Sequence, residues 1–427
     1  MTRWATRLGL YLLLMVGVVV GGAAIDVRRT RRLEATWSWE LGGRDFAAAY
    51  PGRGWNATAN RLAELSVPLG LSYSTADHPD PAGLTDELAA LAKNRDEIIR
   101  PQLDLWKQID RGPLARPSPE VDAALDGALP ALIPVQQLLL DSPAPFWDRT
   151  VDDPDGKKLP NLLGPLRLQR LLILQAGRLL AAGRDALAQT WLEAAWKLQQ
   201  ERHDDPDLVV QVLVLAELRM WHPLLRRSCI AAATYSPRLQ GLEVRRQMKI
   251  SILGRARHSL LRSRWKNPLN RPQHPLVRPM LSLANAMYRH SAFHLTGDVL
   301  DWERLPASRF DPQAIADREP SWWFFRGHHF EVSTYADAWL KAAHEALQLE
   351  LSQLVFEERR GAPAWSRRAS ALRGIQWQRV VRGDFATFEA NPGLVAIPAK
   401  GQPTRFAVHV ADRCLPADLE YHAPLAR

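Results

Sequence analysis

Residues 8–25 read LGLYLLLMVGVVVGGAAI, a run without a single charge. At about 1.5 Å of rise per residue a helix of that length spans roughly 27 Å, enough for a hydrocarbon core. Arg3 and Arg7 precede it within residues 1–7, and Arg28, Arg29, Arg31 and Arg32 follow at once within residues 26–34. The spacing predicts a transmembrane anchor at 8–25, with those four arginines flanking it against anionic head groups. Gly22, Ala23 and Ala24 supply the small residues of a signal-peptidase site, so a cleaved signal peptide is the alternative reading. The length of the run and the arginines behind it favour the anchor.

Orientation is contested within the sequence. Four arginines behind the segment against two before it lean toward a cytoplasmic body. The early position and signal-like layout favour export, and long domains translocate largely regardless of charge. The expectation is a membrane-anchored chain whose body is extracytoplasmic (periplasmic if bacterial), with a cytoplasmic body as the alternative. On the exported side Cys229 and Cys414 are free to pair; otherwise they are two unrelated thiols.

Composition narrows the rest. Hydrophobic residues at 46% and charged residues at 24% exclude a disordered chain. Two cysteines exclude a disulfide framework and a multi-cysteine zinc module. The net charge of +9 is mild for 427 residues. Its densest cluster adjoins the apolar run, with no stacking aromatics interleaved, so nucleic-acid binding is not expected.

Behind the anchor the chain reads as mainly α. Residues 35–160 form a helical region with Pro-rich loops. In it Leu84, Leu88, Leu91, Ile98, Leu105 and Ile109 mark one helix face behind the N-cap Thr85, and Pro101 is expected to kink or split that helix. Ser118-Pro119 opens another. Residues 161–265 form an array of helical hairpins, solenoid-like but without a fixed repeat. Gly183 ends its first helix and Asp185 caps its second; Asp205-Pro206 and Ser236-Pro237 open the third and fourth. Residues 266–280 hold four prolines and read as a linker. Residues 281–376 form a C-terminal helical region, and 377–427 carry a small β-hairpin with strands at 394–397 and 405–410.

Several constellations stand out within this frame, none of which specifies a reaction. His290, His294 and Asp298 recur at helical spacing, and His328 and His329 with Glu331 form a second local cluster; imidazole and carboxylate on one face are the chemistry of a divalent-metal site. His344-Glu345 begins a metalloprotease-like helix, but Gln348 stands where the second ligand belongs. Ser263 and Lys266 match Ser-x-x-Lys without its partner motifs. No cofactor fingerprint is present, so no cofactor is expected. The chain holds 16 tryptophans. Trp322, Trp323, Phe324, Phe325 and Arg326 form a compact aromatic patch suited to core filling, partner binding or a membrane interface.

The expected role is a membrane-anchored extracytoplasmic interaction or scaffold module of the cell envelope, held in the membrane through 8–25 and binding a protein partner. An enzyme is the less favoured reading. The alternatives are a membrane-anchored metal-assisted hydrolase and a lipid- or envelope-polymer-binding protein.

Overall fold

The computed structural model describes residues 28–147 without 29, 30, 33, 37, 76 and 110; 161–265; 299 and 301–306; 326–361; 364–391; and 405–414 without 413. Side chains are described throughout these residues except at 258–265 and 326–333. The chain is mainly helical and ends in a small antiparallel sheet.

Several of the helices begin where a polar side chain satisfies one of their first amide groups. Asn56 Oδ1 accepts from the Ala59 amide at 2.8 Å and opens α1, Ala57–Leu65. Thr85 caps α2, Asp86–Gln108, and Ser118 caps α3, Pro119–Asp141, with Pro119 at the first helical position. The hairpin of α4, Leu163–Ala181, and α5, Asp185–Gln200, turns at Gly183, whose φ is +70°. There the Arg184 amide donates to Leu179 O at 2.9 Å and the Gly183 amide to Leu180 O at 3.0 Å. This pair of bonds closes a helix on a left-handed residue, a geometry that glycine adopts without strain. Arg184, one residue before the expected Asp185, occupies the N-cap of α5. Asp207 caps α6, Leu208–Arg227, through the Val209 and Val210 amides.

The expected fourth helix starts differently. Ser236 and Pro237 lie inside α7, Cys229–Gln240, which Ser228 caps instead, and the next helix is α8, Val244–Trp265. A Ser-Pro pair marks a start only where nothing upstream already satisfies the amides, and the Ser228 hydroxyl does so for Ala231 at 3.2 Å. The longest helix among the described residues is α9, Arg326–Gly361.

Helix α2 departs from expectation twice. It runs unbroken through Pro101, and the face it buries is Ala92, Ile99, Leu103 and Trp106. Leu91 and Leu105, from the expected apolar face, are 49% and 47% exposed. The deciding contact is Trp106, whose ring packs over Gly177 of α4: a Cβ there would lie 2.4 Å from the ring. One indole buries more area than any single leucine of the other stripe and sets the rotation of the helix.

The sheet is larger than a hairpin. Strands β1 (Arg367–Ala369), β2 (Gln376–Arg382), β3 (Phe385–Asn391) and β4 (Arg405–His409) form an antiparallel meander in that order, beginning ahead of residue 377. The β2–β3 turn is the dipeptide Gly383-Asp384, with Gly383 at φ +57° and Arg382 paired with Phe385. The predicted strand at 394–397 lies outside the described residues. One sheet face, with Trp377, Phe388, Phe406 and Val408, packs on Leu347, Leu351 and Leu354 of α9. Glu350 of α9 accepts from the Trp377 indole at 2.7 Å, and Glu358 takes Arg379 through two bonds of 2.7 and 2.9 Å.

Among the described residues α3 and α6 are long and apolar enough to cross a membrane. Both contribute to the core of the helical body, α3 through Leu125, Leu132 and Leu139 and α6 through Val214, Leu218 and Trp221. The predicted anchor at 8–25 lies outside the described residues.

Candidate functional site

Helix α6 is apolar over most of its length yet carries Arg219, His222 and Arg226 at spacings of three and four, which place them along one side. Helix α9 answers with Glu345, Gln348 and Ser352 at the same kind of spacing. Between the two helices these side chains form a polar layer. His222, Glu345 and Gln348 are completely buried, and Ser352 and Arg226 nearly so.

The Glu345 carboxylate is the hub. One oxygen faces His222 Nε2 in a short contact, and the other accepts from Arg219 Nε at 3.0 Å. The other imidazole nitrogen, Nδ1, lies 3.2 Å from Ser352 Oγ. Arg226 donates to the Gln348 side-chain oxygen and, at 3.3 Å, to Ser352 Oγ. His344, also buried, sits 3.3 Å from Gln348 Nε2 through its own Nε2.

The charge states follow from burial and partners. Burial pushes the Glu345 carboxyl up, but His222 and Arg219 together outweigh it and hold its pKa below the ordinary value. Burial pushes the His222 imidazole down, against the pull of Glu345. The layer therefore holds the Glu345 carboxylate as an anion between His222 and Arg219. His222 Nε2 faces Glu345, and the Ser352 hydroxyl, beside His222 Nδ1, donates to the Gln348 backbone carbonyl at 2.9 Å. Burial, and then Arg227 beside it, push Arg226 down to about 9, still cationic at neutral pH.

A serine, a histidine and a glutamate in contact invite comparison with a nucleophilic triad, and the geometry argues against one. Ser352 is 1% exposed and bonded to its own helix, so no substrate carbon reaches its oxygen. What the layer does is join elements. Arg226 and Arg227 extend from α6 over the Phe406 ring of β4, at 5.6 and 5.1 Å from its centroid. At the same joint Cys229, first residue of α7, is disulfide-bonded to Cys414 beyond β4, with Cα atoms 5.5 Å apart. The Cys414 amide donates to the Arg359 carbonyl of α9 at 3.0 Å.

The residues singled out from sequence fall elsewhere. His290, His294, Asp298, Trp322, Trp323, Phe324 and Phe325 lie outside the described residues. So do the side chains of Arg326, His328, His329 and Glu331, whose backbone belongs to the start of α9. Arg28, Arg31 and Arg32 are exposed, and Arg29 is outside the described residues. Among the described residues no group of three or more His, Cys, Asp or Glu is placed to hold a metal ion. His344 and Glu345 belong to the buried layer. The signal that marks this layer in the sequence is the presence of ionisable residues inside an apolar helix, which must find partners or lose their charge.

Compared with family models, curated proteins and solved structures, the chain has no match.

Proposed function

We propose that this chain is a membrane-anchored, extracytoplasmic interaction or scaffold module, held by residues 8–25. The observation that carries the reading is the Cys229–Cys414 bond. Such bonds persist in oxidising compartments and are rare in the cytosol. An anchor followed by a disulfide-closed body is the layout of an exported protein with its N-terminus in the membrane. The interaction role is supported by what the helices turn outward: Leu105, Ile133, Leu187 and Val209 are large apolar side chains at 41% exposure or more. The constellation closest to catalytic machinery, by contrast, is sealed and serves to join helices.

The test is a reporter active on only one side of the membrane, fused after Arg427 in the full chain. The reading expects activity from the extracytoplasmic reporter. Activity from the cytoplasmic one overturns it.

A further inference from the structure

Between the middle of α2 and the start of α3 lies an open groove of about 520 Å³, within the range of ligand-binding clefts. Its apolar lining includes Ile98, Leu105 and Val121, and Glu97 and Glu120 add two carboxylates. No cation among the described residues lines it, although the whole chain carries a net +9. Neither carboxylate has an ion-pair partner among the described residues.

One polar group in the groove is unmatched in a way that points to a ligand. Gln102 is 6% exposed, and its side-chain oxygen accepts from the Ser118 amide at 3.2 Å. That bond fixes which way the amide faces and leaves Nε2, a buried donor, with no hydrogen-bond partner. Buried donors in folded proteins are nearly always matched, so this one calls for an acceptor. A lone buried donor of this kind is the complement of a carbonyl.

We propose that this groove binds an extended, basic peptide segment of a protein partner. The partner's backbone carbonyl accepts from Gln102 Nε2. A Lys or Arg side chain lays its methylenes on Ile98 and Leu105 and brings its charge to Glu97 and Glu120. The open shape suits an extended chain that passes through better than an enclosed small molecule. The inference rests on the reading of this chain as an interaction module and names the chemistry of its partner.

The experiment uses the full chain in a non-ionic detergent and a fluorescein-labelled hexapeptide of alternating lysine and leucine, read by anisotropy. The expected result is saturable binding that weakens about tenfold in Glu97→Gln/Glu120→Gln, the sum of two rim ion pairs, and falls as salt rises. Leu105→Ala, which alters only the wall, weakens binding severalfold at unchanged thermal stability. Binding that is absent, that is equal in the double variant, or that is matched by a glutamate–leucine hexapeptide overturns the proposal. Competition by free arginine methyl ester as effective as the peptide overturns it in favour of a small-amine site. The reporter assay distinguishes the two failures: an extracytoplasmic body with a silent groove removes this inference and leaves the parent reading standing.

Discussion

Two glutamates of the helical body are completely buried, and their surroundings push them in opposite directions. Glu345 faces a histidine and an arginine, and its pKa is held below the ordinary value despite burial. Glu217 of α6 meets Arg202 in an ion pair at 2.7 Å, and burial wins: its pKa is raised against the pull of Arg202 and Arg170. The neighbourhoods differ in the same way. Around Glu345 each side chain named above has a polar partner. Near Glu217, Gln169 and Gln199 share one long bond of 3.5 Å, while Gln169 Oε1, Gln199 Nε2 and His203 Nε2 have none among the described residues. A buried charge is tolerable when several groups share it and expensive when one does. The first layer therefore reads as a joint and the second as a soft place in the core.

The largest expected effect breaks the joint. Glu345→Leu leaves His222 and Arg219 without their acceptor and should destabilise the protein by about 3–5 kcal/mol, measured by denaturant unfolding. His222→Leu added to it should recover part of that loss, because the orphaned imidazole goes too. Next comes the disulfide, which closes a loop with a sequence separation of 185. Cys229→Ala/Cys414→Ala should lose about 2–5 kcal/mol and loosen the sheet first, seen as early proteolysis after residue 361. Gly177→Ala puts a methyl group 2.4 Å from the Trp106 ring. It should cost about 1–3 kcal/mol, less the helix preference of alanine.

Acid should find the histidines of both layers. His203, lowered by burial and then by Arg202 to about 3, and His222, lowered chiefly by burial, have folded pKa values under their ordinary 6.5. The unfolded chain takes up those protons first, so stability is full above about pH 6.5 and declines as pH falls toward the folded values. Glu345 adds to the decline below its ordinary 4.5, and Glu217, shifted the other way, offsets part of it. His203→Gln should flatten the upper part of the curve. The smallest effect sharpens the contrast: Gln169→Met/Gln199→Met removes both members of a poorly matched pair and should be neutral to slightly stabilising. A loss above about 2 kcal/mol there would mean that the second layer is as well matched as the first.

How far the sequence foretells this molecule depends on the range of the interaction that decides each feature. Caps and turn glycines act within four residues, and Thr85, Ser118 and Gly183 do what their types suggest. The rotation of α2 is not legible locally, because it depends on Trp106 meeting Gly177, seventy-one positions away, while Leu91 and Leu105 keep a helical period on the exposed side. Ser236-Pro237 imitates a helix start within a helix already opened by Ser228. The meander hid behind Arg367 to Asn391, where charged residues interrupt the alternation, although Gly383-Asp384 is a hairpin signal that was available. The polar joint links residues more than 120 positions apart, and neither helix alone reveals its partner.

The Cys229–Cys414 bond and the proposed extracytoplasmic location are tested most directly by the thiol state of the full chain in intact cells. Cells are quenched in acid and denatured, then treated with a mass-tagged maleimide before and after reductant. Because the chain has only two cysteines, the readout is unambiguous. The prediction is no tag without reductant and two tags after it. Two tags without reductant would mean that Cys229 and Cys414 are free thiols in the cell, and would contradict both the exported location and the closed joint.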